Sequence, residues 1–284
     1  MSESSYSLLD HARAGDEHAL DRLLRPLQGM VYNLALRFLW HPEDAEDATQ
    51  EILVRVVTGL PSFRGDSRFE TWAYRIACNT LLTLRRQRME EKAFTFERFA
   101  EDLRIGASDA PLQVESWEDE KLLLEEVRIG CTLGMLLCLD REHRIAYILG
   151  EILELDHNEA AEVLEIEPAA YRKRLSRARA DIVAFTTAHC GLVNPENACR
   201  CRRRVNAAIT LERVVPAHLL FTSTPAQSRR FPVVLAEIRR LEADRRAAAL
   251  YRAQGEALPS TTLIGWLREL VREYRRRQAP RGAQ

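Results

Sequence analysis

The sequence predicts an all-α fold: two small helical domains joined by a flexible linker, then a mostly helical C-terminal extension. Three observations predict it. Apolar residues recur at three- and four-residue steps, as in Leu20, Leu23, Leu24, Leu27, Val31, Leu34 and Phe38, which is the spacing of one helix face. No run of alternating β-branched residues is closed by an Asn-Gly or Asp-Gly turn, so strand signals are missing. Polar or Pro-containing stretches divide the periodic ones into residues 1–91, 92–117, 118–188 and 189–284.

Within the first piece, HPEDAEDATQEILVRVV reads as a helix start, with Pro42 in the first turn and acids after it. Asp44, Asp47 and Glu51 share one stripe of this helix, and Ala45, Ala48, Ile52 and Val56 the neighbouring one. The apolar stripe packs inward; the acidic one faces solvent or a basic partner. LPSFRGDSRF follows as a loop, placing Phe63 and Phe69 among Arg64, Asp66 and Arg68. Aromatic and Arg side chains on a loop suit capture of unstacked bases, at roughly 1–3 kcal/mol per stacked base. ETWAYRIACNTLLTLRRQR resumes a helix with Arg75, Asn79, Arg85 and Arg86 on its polar side and Trp72 in the core. Residues 92–117 lose periodicity around Gly106, Ser108, Asp109 and Pro111, and read as the flexible linker.

In the third piece, LDHNEAAEVLEIEPAAYRKRLSRARADIVAF reads as a helix-turn-helix. Asp156 is the N-cap and Glu159 completes a capping box. Glu165–Glu167 form the turn, and Pro168 occupies the first position of the second helix. Tyr171, Leu175, Ala178 and Ile182 form its buried stripe, with Arg172, Lys173, Arg174, Arg177 and Arg179 around the other faces. A short helix, a tight turn and a basic helix suit a major-groove reader.

Bulk properties bound the function. The 284 residues are 46% hydrophobic and 29% charged with a net charge of −1, so DNA binding must come from local clusters of Arg. No stretch approaches the ~20 apolar residues that span a bilayer, and the N-terminus lacks the features of a signal peptide. The expected location is cytoplasmic, with the 6 cysteines reduced, as core thiols or metal ligands. No P-loop, Ser-His-Asp order or catalytic carboxylate pair is present, so no enzyme activity is expected.

These pieces, in this order, resemble the extracytoplasmic-function (ECF) RNA polymerase sigma factors of the sigma-70 family. DAEDATQEILVRVVTGLPSFRGDSRFETWAYRIACNTLLTLRRQRME resembles sigma region 2, and LDREHRIAYILGEILELDHNEAAEVLEIEPAAYRKRLSRARADI resembles region 4; together the likeness covers about residues 7–188. It implies that the chain binds core RNA polymerase, at the β′ clamp helices and the β flap, recognises promoter DNA and promotes its melting to initiate transcription. It assigns Asp44, Asp47, Gln50 and Glu51 to the clamp helices. It assigns Phe63, Arg64, Asp66, Arg75, Asn79, Arg85 and Arg86 to the −10 element, and Arg172, Lys173, Arg174, Arg177 and Arg179 to the −35 element. An anti-sigma factor is a further partner it implies, and no cofactor is required. The sequence departs from the pattern at Glu165, where Gly is usual, at Glu167, where a Ser or Thr cap is usual, and at Ala170, where a small hydroxyl residue is common.

The extension begins with HCGLVNPENACRCRRRV. His189, Cys190, Cys199 and Cys201 could form a zinc site, a redox-sensitive thiol cluster or a set of reduced structural cysteines; Cys78, Cys131 and Cys138 read as core thiols. Two amphipathic helices follow. One, from Arg229, turns Val234, Ile238 and Leu241 inward; the other turns Leu263, Trp266, Leu267 and Leu270 inward. They suggest a regulatory module packed on region 2 or region 4. Two rival readings are a stand-alone helix-turn-helix regulator, which leaves the acidic helix and the FRG loop without a role, and a metal- or redox-sensing protein with a helical scaffold.

Overall fold

A computed structural model of the chain describes residues 3–84, 94–112, 116–221, 225–254 and 256–278. Among them the regular elements are helical, with one isolated bridge between Val215 and His218. The all-α expectation holds.

The first bundle comprises α1 (Glu3–Arg13), α2 (Glu17–Leu39), α3 (Pro42–Gly59) and α4 (Phe69–Thr83). Asp16 starts α2 by accepting a hydrogen bond from the Ala19 amide at 3.0 Å. The stripe read from the sequence is the buried one: Leu20, Leu24, Val31, Leu34 and Phe38 are fully enclosed. Pro42 stands in the first turn of α3 with Glu43 and Asp44.

The linker is not featureless. Phe96–Ile105 forms α5, capped by the Thr95 hydroxyl, which accepts from the Arg98 amide at 3.3 Å. Phe96 and Phe99 place their rings 5.1 and 5.6 Å from that of Phe185. Phe96, Phe99 and Leu103 follow the three- and four-residue rule over less than three turns, too short a pattern to stand out beside the Gly- and Pro-bearing stretch after it.

Next come α6 (Trp117–Leu137), α7 (Arg141–Tyr147, running into a wide π turn over Ile148–Ile152), α8 (His157–Val163) and α9 (Pro168–His189). The extension adds α10 (Cys201–Thr210), α11 (Pro225–Ile238), α12 (Ala243–Arg252) and α13 (Thr261–Gln278). The expected single helix from Arg229 is two. The chain turns after Ile238, where the amides of Arg240 and Leu241 close back on the carbonyls of Glu237 and Ile238, and Glu242 is extended. Leu241 therefore leaves the apolar stripe and is 36% exposed, while Ile238 is buried.

One apolar core runs from the first bundle through α5–α9 to α12 and α13. Buried Arg144 on α7 joins the two domains, donating to the carbonyls of Phe38 at 2.7 Å and of Leu136 and Leu139 at 3.0 Å. The extension grips the first bundle: Gln28 donates to the Leu263 carbonyl at 2.8 Å, Asn33 exchanges two bonds with Ala257, and the Ser260 amide donates to Glu46 at 3.1 Å. It also reaches the second domain, where Gln254 bonds Thr132 and Arg252 pairs with Glu154. No described helix is long and apolar enough to cross a membrane.

Candidate nucleic-acid interface

The acidic stripe forms as the spacing requires. Ala45, Ala48, Ile52 and Val56 are buried, which turns Asp47 to solvent and leaves Asp44, Gln50 and Glu51 half-buried at the surface. Glu51 is held by Arg55 one turn on, with Nη2 at 2.6 Å.

The loop before α4 departs from expectation. Phe63 is 5% exposed and packs edge-on to Phe69, with centroids 5.8 Å apart, and against Trp72 at 5.1 Å. Three aromatic rings exclude more water together than a single displayed ring could, so Phe63 pins the loop instead of offering a stacking face. Arg64 and Asp66 stay exposed on it, and Gly65 takes a φ of 81°, open to Gly without strain.

Helix α9 is built as read. Pro168 is at its start, and Tyr171, Leu175, Ala178 and Ile182 are buried. Arg172, Lys173 and Arg177 are exposed. Arg174 instead pairs with Glu142 at 2.8 Å, and Arg179 with Glu151.

Asp156 caps α8, accepting from the Asn158 amide at 2.8 Å. Glu159, expected to close a capping box, points across to the start of α4. It accepts from Arg68 at 3.2 Å and from the Thr71 hydroxyl at 3.0 Å. One turn on, Glu162 pairs with Arg75 at 3.0 Å; at the turn, Glu165 accepts from the Asn79 amide group at 2.9 Å. The three acids sit at three-residue steps along α8 and its exit, opposite a matching row on α4. Arg75 and Asn79, two of the residues assigned to DNA, are thus each bonded by a carboxylate, with Arg75 half-buried and Asn79 still exposed. Arg85 and Arg86 lie outside the described residues.

At the start of the extension, Cys190, Cys199 and Cys201 line one small cavity together with Cys131 of α6. His189 is not among its walls; its ring rests on Phe185 with centroids 4.8 Å apart. Burial pushes the thiols of all four cysteines up, Cys201 to about 12.

The family model for Sigma-70 region 2 matches residues 23–91, and that for Sigma-70, region 4 matches residues 129–182. The RNA polymerase sigma-H factor of Pseudomonas aeruginosa is 30% identical over 180 residues, which are 62% of this chain and 91% of that protein. The ECF RNA polymerase sigma-E factor of Escherichia coli K12 is 31% identical over 176 residues, 61% of this chain and 88% of that protein. This chain is an ECF RNA polymerase sigma factor. A solved structure of the sigma factor RpoE with the anti-sigma factor NepR from Bartonella quintana aligns with 59% of it and 96% of that chain, at 19% identity and a TM-score of 0.38.

In the sigma factor, most of α2 with α3 and α4 falls in region 2, and α7, α8 and most of α9 in region 4. Residues 189–284 lie beyond both matched segments. The acid row on α8 was beyond sequence reading, because each of its contacts joins residues 86 to 91 positions apart. The one available signal was the run of acids at 159, 162, 165 and 167 in a domain meant to meet phosphate.

Proposed function

We propose that this sigma factor docks on core polymerase through Asp44, Asp47, Gln50 and Glu51 at the β′ clamp helices and through region 4 at the β flap. It reads a −10 element with Arg64, Asp66, Arg75 and Asn79, extended by Arg85 and Arg86, and a −35 element with Arg172, Lys173 and Arg177. Arg174 and Arg179 join that set once released from their acids. The work is done in the cytoplasm, without a catalytic step of the chain's own and without a cofactor at the DNA.

The observation that carries this reading is the acid row on α8. The names of the two elements put them about 25 base pairs apart, roughly 85 Å at ~3.4 Å per step. Asn79 and Glu165, one from each DNA-reading domain, are 2.9 Å apart. A chain in this arrangement cannot touch both elements, and its −10 face holds carboxylates where phosphates would sit. The closed arrangement is therefore the polymerase-free form, and docking must separate the domains. Charge complementarity makes the closure specific for the DNA-reading face, since the acids on α8 occupy the cationic row as a phosphate backbone would.

Run-off transcription with core polymerase on genomic promoter fragments tests the reading. Discrete start sites that depend on the added chain are expected. Absence of such transcripts, combined with polymerase-free binding to a palindromic operator, would instead favour a stand-alone regulator.

A further inference from the structure

We propose that Cys131, Cys190, Cys199 and Cys201 hold one zinc ion as a tetrahedral tetrathiolate that ties the start of the extension to α6. The inference is independent of promoter reading. Four cysteines from separate parts of the chain line one cavity of about 30 Å³. A water molecule needs ~10–15 Å³ by the same measure, so the space suits a single small occupant. Four cysteines in a tetrahedral shell are a common structural zinc set.

The backbone supports the convergence. Cys190 follows the end of α9, and Cys201 begins α10. Between them the chain folds into a knuckle: the Asn194 amide donates to the Cys190 carbonyl at 2.9 Å, and the Asn197 side chain donates to the Thr187 carbonyl at 2.9 Å. The two ends of the knuckle touch at Gly191, where a Cβ would lie 2.0 Å from the Cys199 carbonyl oxygen. Val193 in the knuckle is buried with Ile238 of α11 and Leu250 of α12. An ion here would thus fasten three helices of the molecule at one point.

The cavity also has an unmatched donor. Arg128 lines the cavity, is 2% exposed and pairs with buried Glu125, which leaves its buried Nη1 without a hydrogen-bond partner. A zinc-bound thiolate is an acceptor that this N–H lacks. Arg204 lines it too, paired with Asp102 at 2.8 Å. Binding would follow Zn²⁺ + 4 RSH → [Zn(SR)₄]²⁻ + 4 H⁺. As the side chains stand, no group of three or more His, Cys, Asp or Glu among the described residues is arranged to hold a metal ion. Coordination therefore requires the thiols to turn inward between staggered rotamers, with the knuckle backbone in place.

The ligand set differs from the one expected on sequence grounds: Cys131 takes the place of His189. That exchange makes the test sharp. Full-length protein purified with zinc in the medium is expected to carry about one zinc per chain by elemental analysis. Metal-stripped protein titrated with cobalt(II) is expected to develop the visible bands of a tetrahedral thiolate site. Cys131→Ser should abolish stoichiometric zinc, while His189→Ala and Cys138→Ser should keep it. Should Cys131→Ser fail to fold, the cobalt titration of the unaltered chain still decides. Protein without zinc whose cobalt spectrum lacks those bands, disulfides among these cysteines in place of bound metal, or full zinc in Cys131→Ser would each overturn the proposal.

Discussion

Glu165 has a φ of 53°, in the left-handed region that favours glycine, and its carboxylate holds Asn79. A non-glycine residue there costs about 1–2 kcal/mol of backbone strain, partly offset by the larger entropy that glycine would lose on folding. Glu165→Gly is expected to leave region 4 as stable or up to ~1 kcal/mol more stable in thermal unfolding, and to strengthen DNA binding by the free chain. Glu165→Gln keeps the backbone conformation and isolates the loss of charge. On α9, Arg172→Ala should weaken binding of −35 DNA in the polymerase complex by about 1–3 kcal/mol if it reads a base edge. Arg174→Ala should cost less, because Glu142 already holds that guanidinium; a gel-shift series would compare the two. The helix-start role of Pro168 and the burial of Tyr171 were legible because periodicity and capping are local. Phe63 was misread as displayed because its ring is buried by Trp72, nine residues on and in another element.

Helices inherit their faces from sequence and their partners from the fold. The α3 stripes, the α9 stripe and α13 followed from three- and four-residue spacing; α5, and the break after Ile238, did not, because one is short and the other is set by a turn. The α4–α8 row is electrostatic and solvent-facing, with the Arg68 side chain 62% exposed. Pairs of that kind contribute about 0.2–1 kcal/mol each and weaken with salt. Replacing Glu159, Glu162 and Glu165 together by Ala is expected to raise polymerase-free DNA binding about 10-fold, equivalent to ~1.4 kcal/mol. Unchanged binding in a fluorescence anisotropy titration would show that the row does not compete with DNA. The grip of the extension on α2 is different in kind: Asn33 is buried and bonds Ala257 in both directions. Asn33→Ala should destabilise the chain by about 1–3 kcal/mol in chemical denaturation, because it orphans both backbone groups.

At the scale of the whole molecule, the sigma factor is two DNA-reading domains closed on each other and braced by an extension that touches both. The shared apolar core and Arg144 make this closure stronger than the acid row alone. In the proposed mechanism opening is driven by docking, through surfaces such as the exposed Asp47. Asp47→Arg is expected to weaken association with core polymerase at least ~10-fold in a competition assay. Family membership was legible in contiguous motifs of regions 2 and 4; the closure was not, since it depends on how separately readable pieces meet. The most direct measurement is the separation of fluorescent labels at Glu70 and Ala180, both exposed, with and without core polymerase. The expected result is a short distance in the free chain that lengthens by several tens of ångströms in the complex, toward the ~85 Å scale of the promoter spacing. A distance that stays short in a transcribing complex, or one already long in the free chain, would contradict the closed-then-opened account.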